Sequence, residues 1–122
     1  MNGALVWTLA GVVAGVGALA RFSLDRLVEM RNDGGFPLGT LAVNLTGAFA
    51  LGALAGRHVG GNALLLIGTA GIGSYTTFST WLYESHHLAE DGEQRLAVLN
   101  VAVSVAGGLL AAGAGWALGA AL

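Results

Sequence analysis

The sequence predicts an all-α integral membrane protein with four transmembrane helices, the third of them broken near its middle. Three observations carry that prediction. Of the 122 residues, 55% are hydrophobic and 10% charged, against roughly 25% charged in a soluble domain, and the mean hydropathy is +0.72. Four windows without Asp, Glu, Lys or Arg, residues 1–20, 34–56, 58–83 and 96–122, each approach or exceed the ~20 residues that a helix needs to cross the hydrocarbon. The stretches between them, 25–35, 57–62 and 84–95, hold charges and turn residues and leave no room for a soluble domain. The expectation is one membrane domain over residues 1–122, multi-pass in the cell membrane, with helices near 4–26, 37–56, 62–85 and 95–121.

Helix one is expected to be retained. No Lys or Arg precedes its apolar run, and glycines interrupt the run without a clear cleavage site, so a signal peptide fits poorly. Its Gly15-Val-Gly-Ala-Leu-Ala20 imitates a dinucleotide fingerprint, but no βαβ pattern surrounds it. Helix two opens at Pro37, whose missing N–H is harmless in a first turn. Helix three carries Gly71-Ile-Gly-Ser-Tyr-Thr-Thr-Phe-Ser-Thr80 inside its apolar window. Gly71 and Gly73 each lower helix propensity by about 1 kcal/mol relative to Ala, and the hydroxyls of Ser74, Thr76 and Thr77 compete for backbone bonds. The expectation is a break near 73–76, with a kink healed by neighbouring hydroxyls as the alternative, since irregular backbone at that depth is tolerated only against protein, a bound ion or a wet cavity. In helix four, Asn100, Ser104 and Gly108 are spaced by four and form one polar-to-small stripe.

Composition excludes several function classes. With no cysteine, thiol chemistry, disulfides and thiolate metal sites are absent. The net charge of −2 and five scattered arginines form no basic stripe, so nucleic acid is not an expected partner. His58, His86 and His87 stand at membrane ends without the i, i+4 histidine spacing of a helical metal site. No nucleophile, base and orienting group converge, so the chain is not read as an enzyme. Arg26, Arg31 and Arg95 fall in loops one and three and only Arg57 in loop two, a bias that favours loops one and three in the cytoplasm. The glycine pairs Gly11/Gly15, Gly52/Gly56 and Gly115/Gly119 suit close helix packing in lipid. Four short helices conceal little polar surface, so polar groups on such a unit imply oligomerisation.

The polar residues within the spans outline a path for something small. Phe78 and Trp81 lie three apart, and an aromatic ring edge is electropositive enough to attract an anion weakly. Their bland alternative is packing. Asn44, with Thr40 one turn before it, offers two amide donors to an anion or to a neighbouring helix. Thr77 and Thr80 extend as a hydroxyl face to Glu84, and Asn100 with Ser104 forms either a second wall or a packing stripe. Arg21 and Glu84 end their windows, placed for a vestibule or for snorkelling to water.

Three motifs in order, Gly17-Ala-Leu-Ala-Arg21, Gly39-Thr-Leu-Ala-Val-Asn44-Leu-Thr-Gly47 and Gly71 through Thr80, resemble those of the Fluc/CrcB fluoride channels. The resemblance covers essentially the whole chain. It implies an antiparallel, dual-topology dimer in the membrane lipid, enclosing two fluoride pores and a structural Na+ between the two helix-three breaks. By position, the carbonyls of Gly73 and Thr76 would hold that sodium. Phe78 would present its ring edge to fluoride, Asn44 a donor, and Thr77, Ser79 and Thr80 the hydroxyl track toward Glu84. Passive export of cytoplasmic fluoride, and so fluoride resistance, is the implied function.

Two positions depart from the family pattern. Trp81 stands where a second phenylalanine is expected and Asn100 where a tyrosine is expected. With the arginine bias, these departures raise the expectation that the antiparallel partner is either a second copy or a dissimilar paralogous subunit. A small proton-coupled dual-topology exporter is the competing class, but it requires a carboxylate at mid-helix, and the acids here lie in loops or at helix ends. A non-conducting partner subunit of a heteromeric channel is the third reading.

Overall fold

The computed structural model describes residues 2–122. Within them every regular element is helical: α1 (Gly3–Glu29), α2 (Leu38–Gly56), a single turn α3 (Gly61–Ala63), a π-helix (Leu64–Ile72), a second short turn α4 (Gly73–Tyr75), α5 (Ser79–Glu90) and α6 (Gln94–Ala121). Three of these, α1, α2 and α6, are long and apolar enough to cross a membrane. At 1.5 Å rise per residue, the 19 residues of α2 reach about 28 Å and the 27 of α1 about 40 Å.

The ends are set by local chemistry. Asn2 caps α1, its Oδ1 accepting from the N–H groups of Ala4 at 2.7 Å and Leu5 at 3.3 Å. The helix runs three residues past the expected limit at 26, because Leu27, Val28 and Glu29 favour or tolerate helix and no glycine intervenes before Gly34. Glu29 then serves the next element: its Oε1 accepts from the Gly39 N–H at 2.8 Å and stands in for a cap that Pro37 does not supply. Asn32 closes the loop between them, donating to Glu29 Oε2 and to the Phe36 carbonyl.

Both α2 and α5 end in paired reverse bonds of the Schellman type. At α5, Glu93 N–H reaches Leu88 O and Gly92 N–H reaches Ala89 O, with Gly92 at φ +81°. At α2 the same pattern joins Val59 to Leu54 and His58 to Ala55, but His58, at φ +56°, occupies the position that favours glycine. The α5 helix also outruns its expected end at 85, reinforced by His86–Glu90 and His87–Asp91 one turn apart.

Packing is built on glycine. The α2 and α6 backbones meet along one seam: Gly52 and Gly56 lie against the carbonyls of Ala112 and Trp116, and Gly115 and Gly119 against those of Phe49 and Ala53. A Cβ at any of the four would collide with backbone. Gly11 and Gly15, by contrast, have nothing within 4 Å of the Cβ position, so that pair does not pack within the chain. The buried apolar core is small, Val6, Ala10, Val43 and Ala97, while large apolar side chains such as Trp7, Leu19, Leu109 and Leu110 face outward. This is the inside-out distribution that lipid as a solvent permits.

Candidate functional site

The helical ladder stops after Tyr75 and resumes at Ser79, with Thr76 extended at φ −82°, ψ 162°. Asn44 on α2 closes the gap. Its Nδ2 donates to the Thr77 carbonyl at 2.9 Å and its Oδ1 accepts from the Thr77 N–H at 2.8 Å. The amide thereby replaces both backbone partners that a continuous helix would have supplied. Thr77 in turn starts α5: its Oγ1 accepts from the Thr80 N–H at 3.2 Å and donates to Thr80 Oγ1 at 3.0 Å. On the other side of the gap the last bond is from Thr76 N–H to Ile72 O. Among the described residues no hydrogen bond reaches the carbonyls of Gly73, Ser74, Tyr75 or Thr76, the four that a helix C-terminus leaves unpaired.

Neighbouring glycines cradle this interrupted segment. Gly17 of α1 presses on the Gly71 carbonyl, and Gly47 of α2 on the Thr76 methyl, so a Cβ at either would displace it. Tyr75 is tied to α2 by a 2.7 Å bond between its hydroxyl and that of Thr46. The segment is thus held by shape on two sides and by Asn44 at its centre. Phe78, the residue just before α5, is 69% exposed. Its ring meets the Trp81 ring edge-on, centroids 5.5 Å apart and planes at 63°.

Several of the sequence-predicted residues converge on one open groove of about 600 Å³ between α2 and the interrupted segment: Asn44, Gly73, Thr76, Thr77, Phe78 and Trp81. A smaller cleft of about 140 Å³ is lined by Arg21, Asp25, Thr40, Thr77 and Thr80. Ser104 shares a shallow cleft with Asn44, Trp81 and Gly108. Glu84 stands apart from the groove, in a recess with Glu29, Tyr83 and His87, and its Oε1 is buried without a hydrogen-bond partner. Ser79 is exposed at the first turn of α5. Asn100 is 1% exposed, with Nδ2 bonded to Ser85 Oγ.

Sequence reasoning gave no role to Thr46, Tyr75 or Ser85, and none to Gly17 or Gly47 beyond their place in motifs. A glycine four residues before Arg21 and another three residues after Asn44 carry no signal of their own until the helices are packed. Ser85 lies at i+4 from Trp81, a spacing open to inspection, but nothing in the chain pointed to Asn100 as its partner.

These features define a multi-pass membrane protein whose uncharged oxygen and aromatic groups collect around the gap between two helical segments. The chain belongs to the CrcB-like protein, Camphor Resistance (CrcB) family, whose pattern matches residues 8–116. Its relatives include Fluoride-specific ion channel FluC 2 of Mycolicibacterium paratuberculosis, 47% identical over 105 residues, 86% of each chain. FluC 2 of Moorella thermoacetica is 44% identical over 92% of this chain and 94% of its own. Fluoride-specific ion channel FluC 1 of Symbiobacterium thermophilum is 42% identical over 93% and 96%. The relatives bear channel names and not enzyme names.

Proposed function

We propose that this chain is a subunit of a fluoride-selective channel of the cell membrane that lets cytoplasmic fluoride leave passively. The observation that carries the proposal is the gap at 76–78. It brings Phe78, Thr77 and Asn44 to an open groove, in a chain whose relatives are named fluoride-specific ion channels. Neutral hydroxyls and ring edges replace part of an ion's hydration without forming a deep well, as conduction requires. The segment from α3 to α5 serves as the fourth crossing, its two halves meeting at the gap.

The groove is open, and an antiparallel second subunit is the proposed occupant. Sodium fits the oxygen donors at the gap. Gly73 and Thr76 belong to four consecutive carbonyls without donors, and uncharged oxygens suit a hard monovalent cation. Bound there, the ion would neutralise the converging carbonyl dipoles of two subunits. The partner is either a second copy or a paralogue. The numbered FluC 1 and FluC 2 names among relatives and the arginine bias across the loops favour a paralogue of opposite orientation.

Reconstitution of the purified chain alone into liposomes, with fluoride efflux followed by an electrode and chloride as control, tests the proposal. Selective efflux that Phe78→Ile abolishes is the expected result. Efflux of chloride at the same rate, or efflux indifferent to Phe78→Ile, would count against it, whereas efflux appearing only with a co-expressed paralogue would assign the heteromeric form.

A further inference from the structure

Between α5 and α6 lies one buried polar ring. Asn100 Nδ2 donates to Ser85 Oγ at 2.8 Å, Ser85 Oγ donates to the Trp81 carbonyl at 2.9 Å, and Trp81 Nε1 donates to the Asn100 carbonyl at 3.4 Å. The ring closes on itself, from the Asn100 side chain through Ser85 and Trp81 back to the Asn100 backbone. Ser104 supports it from the next turn of α6, donating to Asn100 Oδ1 at 3.4 Å. Asn100 and Ser85 are buried, 1% and 6% exposed, so the bond between them is made away from competing donors, and the other three are half-buried.

The geometry fixes the direction of the Trp81 indole. Its N–H points into α6, while its ring supports Phe78 from the side. The 3.4 Å bond is at the long end of its class, so it depends on the Asn100–Ser85 link to keep α5 in register with α6. A free indole N–H beside a fluoride path would be a strong donor to a strongly accepting anion. It would deepen the well and slow exit.

Resting on the channel reading, we infer that Asn100 and Ser85 are positioning residues that keep the Trp81 N–H out of the ion path, so that Trp81 acts there as a ring brace for Phe78 and not as an anion donor. In this chain the tryptophan and the asparagine are therefore one unit. The tryptophan brings a donor that conduction does not tolerate, and the asparagine helps to sequester it.

The test is a double-mutant cycle on fluoride efflux, measured as maximal rate and half-saturating fluoride concentration, with Asn100→Leu made in the unsubstituted chain and in Trp81→Phe. In the unsubstituted background the maximal rate should fall about fivefold or more, the scale of one net hydrogen bond, and the half-saturating concentration should fall with it. In the Trp81→Phe background, which has no indole N–H to release, Asn100→Leu should change both by less than about twofold on the same scale. If Asn100→Leu does not assemble, Ser85→Ala is read in the same cycle, and Ser85→Thr, which keeps the hydroxyl, should restore the rate. Equal losses in both backgrounds, or a lower rate with unchanged half-saturation, would overturn the inference and leave the channel reading standing. No efflux from the unsubstituted chain, alone or with a paralogue, would remove both.

Discussion

Asn44 decides whether the gap at 76–78 is a structure or a defect. Its amide holds both the N–H and the carbonyl of Thr77, and the loss of such a pair in a half-buried place costs about 1–3 kcal/mol. Asn44→Leu, close in volume but without polar atoms, is therefore expected to lower thermal stability in detergent by that amount. Asn44→Asp keeps the acceptor for the Thr77 N–H and loses the donor, so it should fall between Leu and the unsubstituted chain. His58 offers the opposite sign. Held at φ +56° in a glycine position, it should gain up to about 1 kcal/mol on replacement by Gly, read as a higher melting temperature. In the sequence Asn44 stands out as a candidate contact, whereas His58 reads only as a residue at a membrane end. An amide among apolar residues is conspicuous, but whether it faces an ion or a peptide bond depends on a residue 33 positions away.

Among elements, the α2–α6 seam depends most strictly on residue size. Gly52→Val would drive a branched side chain into the Ala112 carbonyl, and overpacking of this kind costs about 1–3 kcal/mol. Gly108→Ala meets open space and should be neutral or stabilising by up to about 1 kcal/mol. Thermal aggregation profiles of the two variants side by side check the contrast, which hydropathy alone does not foresee. The three long spans and their order were readable from the uncharged windows, because the cost of burying charge in lipid writes itself directly into composition. The π-helix over Leu64–Ile72 was not readable. Its wider ladder has no residue pattern of its own and leaves the same hydropathy trace as an α-helix. The small-residue pairs were likewise ambiguous: two of the three pack on each other, and Gly11/Gly15 does not.

At the scale of the molecule, a buried core of Val6, Ala10, Val43 and Ala97 leaves most apolar surface for lipid or a second subunit. Gly73 separates these two roles. A Cβ there meets the Gly68 carbonyl at 3.8 Å, ordinary van der Waals contact, so the fold of one subunit accommodates Gly73→Ala. If the partner's gap lies opposite, as proposed, the variant should stay folded and lose the dimer, measured by subunit counting in liposomes. An intact dimer with unchanged efflux would remove the sodium assignment. The motifs around the gap were legible as a group, since hydroxyls and glycines in an apolar run are costly unless used. How they are shared between α1 and α2 was not, because that is fixed by packing and not by spacing. The seam that Gly56 makes with Trp116 and Ala120 bears finally on biogenesis. It joins the second span to the last turns of α6, so during synthesis α2 enters the bilayer with its glycine face uncovered and waits there for nearly the whole chain to be translated. A nascent chain arrested before α6 would present that bare backbone stripe to whatever helix the insertion machinery or a neighbouring ribosome delivers next.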